Sequence, residues 1–416
     1  MKTTKLFLTI ILLFALKTSM AQETWYPHVV MVFGNPQLPN INSVSIIYND
    51  FGGIICGDSG YIANWQFFSE DYWSPNFNLI THQNLNSVYI VDSLDVHKAY
   101  MAGDSGKIFK TNDIPLFYGD IPFYSQNSPT ANNLYSIFFN NYLEGIAVGD
   151  TGTVVRTTDG GSHWNLISSI TQNRLYSVQF PSTNLGYAVG VNGTVIKTTD
   201  GGGNWVMKTQ AIADTLRCVW FTDDNTGFVV SRNGAIYKTT DGGNNWQSKP
   251  SGITQNINAI RFASTNIGYA AGNNDKVLRT TDAGETWIIQ AIAINQANYK
   301  GISTSNYGQV YIVGSNGNAI GNFPEPGSIQ KYWNNVEVKI TPNPAKDYLT
   351  INLQNNKNYS GLALSIYNIQ GQILLQHKLK QNNSEIDISQ LREGIYIAKI
   401  RMSDGSFRQG KFVVVR

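Results

Sequence analysis

A block of about forty-one residues recurs along most of this chain, and that recurrence restricts its fold more than any other feature. Four copies align almost without gaps: LYSIFFNNYLEGIAVGDTGTVVRTTDGGSHW from Leu134, LYSVQFPSTNLGYAVGVNGTVIKTTDGGGNW from Leu175, LRCVWFTDDNTGFVVSRNGAIYKTTDGGNNW from Leu216 and INAIRFASTNIGYAAGNNDKVLRTTDAGETW from Ile257. Weaker copies begin at Ile41, Leu85 and Tyr299, which makes seven units. Each unit holds short apolar segments separated by Gly-, Asn- and Asp-containing turns, the signature of all-β structure. The third segment is apolar on both faces, as in Val195-Ile196, Ile236-Tyr237 and Val277-Leu278. A strand buried on both faces needs sheets stacked against sheets, and four-stranded blades packed around an axis supply that at this period.

The ends of the repeat region predict how the ring closes. The unit from Tyr299 stops after its third segment, near Gly321-Asn322-Phe323. Near the N-terminus, Glu23-Thr24-Trp25 has the same form as Glu285-Thr286-Trp287, which opens a fourth strand. The N-terminal segment is therefore expected to complete the last blade and leave no open seam.

Between the third and fourth strands lies the pattern Ser/Thr-x-Asp-x-Gly-x-x-Trp. It occurs as Thr157, Asp159, Gly161, Trp164; as Thr198, Asp200, Gly202, Trp205; as Thr239, Asp241, Gly243, Trp246; and as Thr280, Asp282, Gly284, Trp287. A decayed copy has Thr111, Asp113, Pro115 and Tyr118. An Asp in a turn accepts hydrogen bonds from the backbone N–H groups that follow it, and Gly adopts conformations closed to other residues. The Trp then packs over the hairpin. At these residues the chain resembles the Asp-box, or bacterial neuraminidase repeat, propellers, and GYAVGxxGTVIKTTDGGxxW resembles the photosystem II assembly/stability-factor group among them. The resemblance covers most of residues 41–321. It implies a structural role for the box. The sialidases of that superfamily add an arginine cluster, a Tyr–Glu pair and a separate acid, and this set is not assignable here. Fold alone carries no activity.

After Pro324-Glu325-Pro326-Gly327 the repeat gives way to alternating strands over about eighty residues, the pattern of a small antiparallel, immunoglobulin-like sandwich. Its landmarks are Pro342-Asn343-Pro344-Ala345, Tyr367 with Gly371, Leu391 with Gly394 and Tyr396, and the ending Lys411-Phe412-Val413-Val414-Val415-Arg416. This module is similar to the type A C-terminal sorting domain of the type IX secretion system of Bacteroidetes. The resemblance implies a partnership with that machinery, export through the outer membrane and removal of the module, leaving the propeller surface-attached or released.

The first residues fit that route. Lys2 and Lys5 precede an apolar run from Leu6 to Leu16, and Ser19-Met20-Ala21 offers small residues at a cleavage site. The run is too short to span a bilayer. The expected division is a signal peptide over 1–21, a propeller over 22–323, a linker over 324–335 and the sorting domain over 336–416. Losing the leader removes three of the 30 basic residues and none of the 28 acidic ones, so the mature chain stands at about −1. That balance gives no electrostatic case for nucleic acid or an anionic membrane. Cys56 and Cys218 fall in different repeats and are read as buried thiols.

No chemistry-bearing constellation emerges. The histidines 28, 82, 97, 163 and 377 are scattered, without metal-ligand or catalytic spacing, so neither a metal, a cofactor nor catalytic residues are expected. In an up-and-down meander, the turns between second and third strands share one face of the ring. The position after the second-strand glycine reads Asp58, Asp104, Asp150, Val191, Arg232, Asn273 and Ser315. Asp58, Asp104, Asp150 and Arg232 are the candidate ligand residues, three carboxylates along one arc suiting a cation or a basic peptide. The plainer reading is ordinary turn chemistry. Aromatic residues of the first two units (Phe67, Phe68, Tyr72, Trp73, Phe117, Tyr118, Phe123 and Tyr124) are either outer-strand core or a sugar-stacking surface, with Tyr72 and Trp73 its centre. Lys110, Arg156, Lys197, Lys238 and Arg279 recur before the box and read as solvated strand-end charges with packed stems. The chain thus reads as a secreted interaction module for a protein or glycan. The alternative is a glycoside-active enzyme, which would need convergent arginines and paired acids in the cleft.

Overall fold

The computed structural model describes residues 26–416 except for 31–38, 47–51, 67–71, 76–79, 94–95, 113, 115–120, 209–211, 293–296, 306–307, 323–336, 355–361, 369–372, 380, 382 and 402–406. The expected leader and linker, Trp25, Gly371, and Phe67, Phe68, Phe117 and Tyr118 lie outside the described residues, as do the side chains of Tyr72, Trp73 and Lys411. The chain forms two compact units, each described in turn.

The first unit is a seven-bladed β-propeller. Blades 2 to 6 are four-stranded antiparallel meanders; blade 3, for example, runs Leu134–Phe139, Gly145–Gly149, Val154–Thr157 and Asn165–Ile167. Blade 1 comprises Ile41–Ile46, Gly52–Gly57, Ile62–Gln66 and Tyr72–Pro75. Blade 7 takes three strands from the end of the repeat region, Tyr299–Thr304, Val310–Gly314 and Ala319–Asn322. Its fourth is Tyr26–Val30, antiparallel to the third with Tyr26 opposite Gly321 and His28 opposite Ala319. Val29 and Val30 also pair in parallel with Tyr72 and Trp73 of blade 1.

In the third strands, where the sequence is apolar on both faces, Val195, Ile196, Ile236, Val277 and Leu278 are buried and Tyr237 is partly so. The second strands of blades 3 to 7 are buried along their whole length. Packing between blades uses a repeated aromatic step. The first-strand Phe221 stacks on Tyr187 of the preceding blade at 3.9 Å, and meets Trp246 of its own box edge-on at 6.0 Å. Tyr100, Phe139 and Trp164 repeat the step, as do Phe228, Phe262 and Trp287. Each such Phe lies over the glycine that opens its second strand: a Cβ on Gly227 would stand 2.5 Å from the Phe221 ring.

Polar lacing runs around the axis. Ser43, Ser87, Ser136 and Ser177 each accept, through Oγ, the backbone N–H of the next blade's inner strand, at Val88, Ile137, Val178 and Val219, all at 3.2 Å. Across the closing boundary the Ile46 N–H donates to Ser303 Oγ at 3.2 Å. Cys56 and Cys218 are free thiols in different blades, and burial pushes both up.

The C-terminal unit is an immunoglobulin-like sandwich. One sheet is Glu337–Thr341, Tyr348–Gln354 and Asn383–Asp387; the other is Ile373–Lys378, Ala363–Asn368, Gly394–Arg401 and Phe407–Val414. Leu349, Ile351, Ile366, Ile386, Ala398 and Phe412 fill the space between. The Pro342-Asn343-Pro344-Ala345 run is tied to the last strand. Asn343 Oδ1 accepts the Val413 N–H at 2.9 Å, Ala345 N donates to Val413 O at 2.7 Å, and Val415 N returns to Ala345 O at 2.9 Å. Tyr396 donates its hydroxyl to Arg392 O at 2.7 Å and stacks on Phe412.

Candidate functional site

The four boxes share one geometry. In the first, Thr157 Oγ1 accepts the Gly161 N–H at 2.9 Å and donates to Asp159 Oδ1 at 2.9 Å. Asp159 then accepts the His163 N–H at 2.9 Å, with the His163 ring 2.7 Å from its second oxygen. Asn204 serves Asp200 in the same way, as Asn245 serves Asp241 and Thr286 serves Asp282. These donors hold the carboxyls of Asp159, Asp200 and Asp241 down to about 2. Both carboxylate oxygens of each box Asp are thereby committed to its own turn. Trp164, Trp205 and Trp287 are buried.

Four of the five basic residues before the boxes are not solvated strand ends; the fifth, Arg279, donates through Nε to the Tyr269 hydroxyl of its own blade at 3.3 Å. Lys110 Nζ donates to Gly160 O at 3.1 Å, Arg156 Nε to Gly201 O at 2.9 Å, Lys197 Nζ to Gly242 O at 3.0 Å and Lys238 Nζ to Ala283 O at 2.7 Å. Each acceptor is the box of the next blade. Their stems reach sideways over the preceding blade's edge, so the cation lands on a carbonyl and not in water.

On the opposite face, the turns between second and third strands carry the candidate ligand residues. In blades 1 and 2 these are hairpin turns with two left-handed residues, Ser59-Gly60 and Ser105-Gly106. The Asp58 carboxylate accepts from Asn40 Nδ2 at 2.7 Å and Asn42 Nδ2 at 2.8 Å. Asp104 accepts from Asn84 and Asn86 at 2.9 and 2.8 Å. Asp150 accepts from Arg174 and from the Tyr135 hydroxyl. The three acids sit on successive blades, and each is engaged by donors of its own or the next blade. Among the described residues no three His, Cys, Asp or Glu side chains converge as a metal site would require.

What the turn comparison missed lies one step inward. Every first strand carries a bulge at its second residue, which shifts the register between residues such as Leu134 and Ser136. A bulge re-aims the extra side chain. In blades 3 to 5 those residues are Tyr135, Tyr176 and Arg217, and they meet as a stack. The Arg217 guanidinium lies 4.2 Å from the Tyr176 centroid, while Arg174 lies 5.2 Å from that of Tyr135 and 5.7 Å from that of Tyr176. Burial holds the Arg217 guanidinium below its ordinary range, with Arg232 and Arg174 adding like charge. Among the described residues, neither Arg217 nor Arg232 pairs with a carboxylate, whereas Arg174 pairs with Asp150. Beyond Arg232, an open polar depression of about 590 Å³ is lined by residues including Asn233, Lys249, Thr254 and Lys276.

The acids of this arc are aspartates already engaged locally: Asp150 by Arg174 and Tyr135, and Asp214 by the Asn233 N–H at 3.3 Å. The described glutamates of the propeller are Glu144 and Glu285, and both stand on the box face. Glu144 is 3.5 Å from Arg156, and Glu285 bridges Lys238 and Lys249 at 2.6 Å each. Of the aromatic candidates whose side chains are described, Phe123 is buried and Tyr124 is half exposed. Tyr72 and Trp73 lie on the outer strand of blade 1.

Fold, boxes and C-terminal module together define an Asp-box propeller that carries an export module. Residues 339–415 match the secretion system C-terminal sorting domain family, which marks the chain for type IX export to the cell surface or beyond. Residues 161–248 and 207–288 match the photosynthesis system II assembly factor YCF48 family. Among solved structures, YCF48 bound to D1 peptide aligns at TM-score 0.59 and 16% identity, covering 74% of this chain and 97% of that one. YCF48 from Cyanidioschyzon merolae aligns at 0.58 and 15%, covering 73% and 99%. The WD40 propeller domain of Doa1 aligns at 0.57 and 14%, covering 74% and 97%. No curated protein matches the chain.

Proposed function

We propose that this chain is an exported, non-enzymatic propeller that holds an acidic protein segment across the mouth of blades 3 to 5. The N-terminal leader would take it to the periplasm, and the C-terminal sandwich would engage the type IX machinery before the propeller acts at the surface. The observation that carries the reading is the Tyr135–Arg174–Tyr176–Arg217 stack. Guanidinium groups ordered on aromatic faces lose little further freedom when they bind, and their planar edges suit peptide carbonyls and carboxylates. Arg232 and Lys276 of the depression beyond it extend the same positive surface outward, while Lys249 there is already paired with Glu285. A structural neighbour, YCF48, has been solved with a peptide bound, which favours a polypeptide over a glycan.

The arc thus favours an acidic partner, whereas the Asp58, Asp104 and Asp150 carboxylates already have donors and offer little to a cation or a basic peptide. Selection of a displayed heptapeptide library on the propeller face tests the reading. Enrichment of acidic sequences, lost in Arg217→Ala and Arg232→Ala, is expected. Enrichment unchanged in those variants, or glycan-array binding that disappears in Tyr72→Ala and Trp73→Ala, would replace it.

A further inference from the structure

Deeper along the axis, the fifth position of each inner strand forms a second layer. Three of its polar members each accept a backbone N–H from the next blade. Ser45 and Ser303 accept the Ile90 and Ile46 N–H groups at 3.0 and 3.2 Å, and Gln179 Oε1 accepts that of Phe221 at 3.1 Å. Tyr89 and Phe138 pack together at 4.8 Å. Arg261 is the exception. Its guanidinium lies 4.4 Å from the Trp220 ring centroid, and its Nε–H is buried with no acceptor. Among the described residues it makes no ion pair. The groups that interact with it electrostatically are the Tyr89 phenol, from blade 2, and the Cys218 thiol, from blade 5. Burial pushes both of those up, so each is neutral at ordinary pH.

Arg261 is half-buried, with a buried Nε–H that has no acceptor and a charge that has no counter-ion among the described residues. An unmade hydrogen bond of that kind is costly, and an anion that completes it is stabilised. Trp220 covers one face of the guanidinium, so a partner must approach in its plane, where its donors form a flat fork. A carboxylate matches that fork with two parallel hydrogen bonds; a spherical halide does not. We propose that the axial channel is a receptor for one carboxylate, held by Arg261 on the Trp220 platform. The source is either a free small acid or an Asp or Glu side chain reaching in from a bound segment. This inference stands on Arg261 and Trp220 alone and does not require the mouth to bind peptide.

Thermal unfolding of the full chain in sodium acetate, against sodium chloride at equal ionic strength, tests it. A saturable upward shift in midpoint is expected with acetate and not with chloride, and it should vanish in Arg261→Met. That variant should be at least as stable as the parent without acetate, because the unpaired charge is gone. If it does not fold, Arg261→Lys keeps the charge without the fork, and at least a five-fold weaker acetate response is expected. The capped peptide acetyl-Gly-Gly-Glu-Gly-Gly-amide, whose one carboxylate is on the side chain, separates the sources: a shift with the peptide but not acetate assigns the site to a side chain. Arg217→Ala should leave the acetate response intact, so that failure at the mouth and in the channel are distinguishable. An acetate response equal in parent and Arg261→Met, or no saturable response to either carboxylate, would overturn the proposal.

Discussion

Lys197 and Gly242 are joined across a blade boundary: the ammonium donates to the glycine carbonyl at 3.0 Å, and the Tyr187 hydroxyl reaches the same oxygen at 2.9 Å. The acceptor is the turn of the next Asp-box, so the box is both a local hairpin fastener and the receiving half of a latch between blades. Lys110 and Tyr100 converge on Gly160 O in the same manner. Lys197→Met should lower stability by about 1–2 kcal/mol and Tyr187→Phe by about 1 kcal/mol, the range for hydrogen bonds to a partly buried acceptor. Because both donors serve one oxygen, the double variant should depart from additivity by about 0.5 kcal/mol or more. Urea unfolding of the four proteins in the cycle measures the coupling; strict additivity would mean the latch is two unrelated contacts.

The boxes also set an acid limit. The carboxyls of Asp159, Asp200 and Asp241 sit near 2 in the folded protein against an ordinary 3.8, because their turns donate to the ionised form. A depressed folded value means that the stabilisation is complete above the unfolded value and is lost as pH falls from about 4 towards 2. A chain with Asp159→Asn, Asp200→Asn and Asp241→Asn should be less stable at pH 7 but show a flatter decline in melting temperature over that window. Parallel decline in the two proteins would place the acid sensitivity elsewhere.

In blades 3 to 6 the glycine that opens the second strand answers to a ring and not to a turn. Adding a methyl at Gly227 would put it 2.5 Å from Phe221, which is itself pinned between Tyr187 and Trp246. Gly227→Ala should cost about 1–3 kcal/mol by overpacking. Phe221→Leu in the same chain should recover part of that loss, and thermal unfolding of the single and double variants decides it. No recovery would show that the backbone, and not the ring, is the constraint.

Repeat period, turn chemistry and box spacing made the architecture legible, because residues such as Trp164, Trp205 and Trp287 do the same local work in every copy. The latches were not legible. Lys110, Lys197 and Lys238 act on a box in the next copy, 45 to 50 residues on. A repeat compared only with itself shows the cation and not its acceptor. Asp58, Asp104 and Asp150 were visible as a series, but not the Asn40–Asn42 and Asn84–Asn86 pairs that occupy two of them. The mouth and channel were hidden for the opposite reason. Their positions hold Tyr135, Tyr176 and Arg217 in one layer and Phe138, Trp220 and Arg261 in the next. Seven copies that agree on structure disagree there, and that disagreement is the signal that marks the axis.

Closure of the ring by Tyr26–Val30 gives a further expectation. Without that strand, Ala319–Asn322 would present an unpaired edge. A chain starting after Val30 should melt at lower temperature and self-associate in size-exclusion chromatography. A synthetic peptide spanning residues 22–34 should reverse both effects. A truncated chain that stays monomeric with an unchanged midpoint would show that blade 7 holds with three strands.

In the C-terminal unit, the last residue does more than end a strand. The Arg416 guanidinium pairs with Asp347 and donates to the carbonyls of Ser389, Leu391 and Ile388, while its backbone N–H donates to Glu393 at 2.7 Å. One planar group thus gathers the turn after Asn383–Asp387 and the acid that follows the Pro342-Asn343-Pro344-Ala345 run. Arg416→Ala should cost about 1–3 kcal/mol, since three carbonyls and a carboxylate lose a charged donor. An ammonium cannot address several acceptors in one plane, so Arg416→Lys should recover less than half of the loss. Hydrogen exchange in Gly394–Arg401 and Phe407–Val414 is the sensitive readout, because a local clamp protects those strands without altering the propeller. Full protection in Arg416→Ala would mean that the Ala345–Val413 backbone pairing holds the terminus unaided.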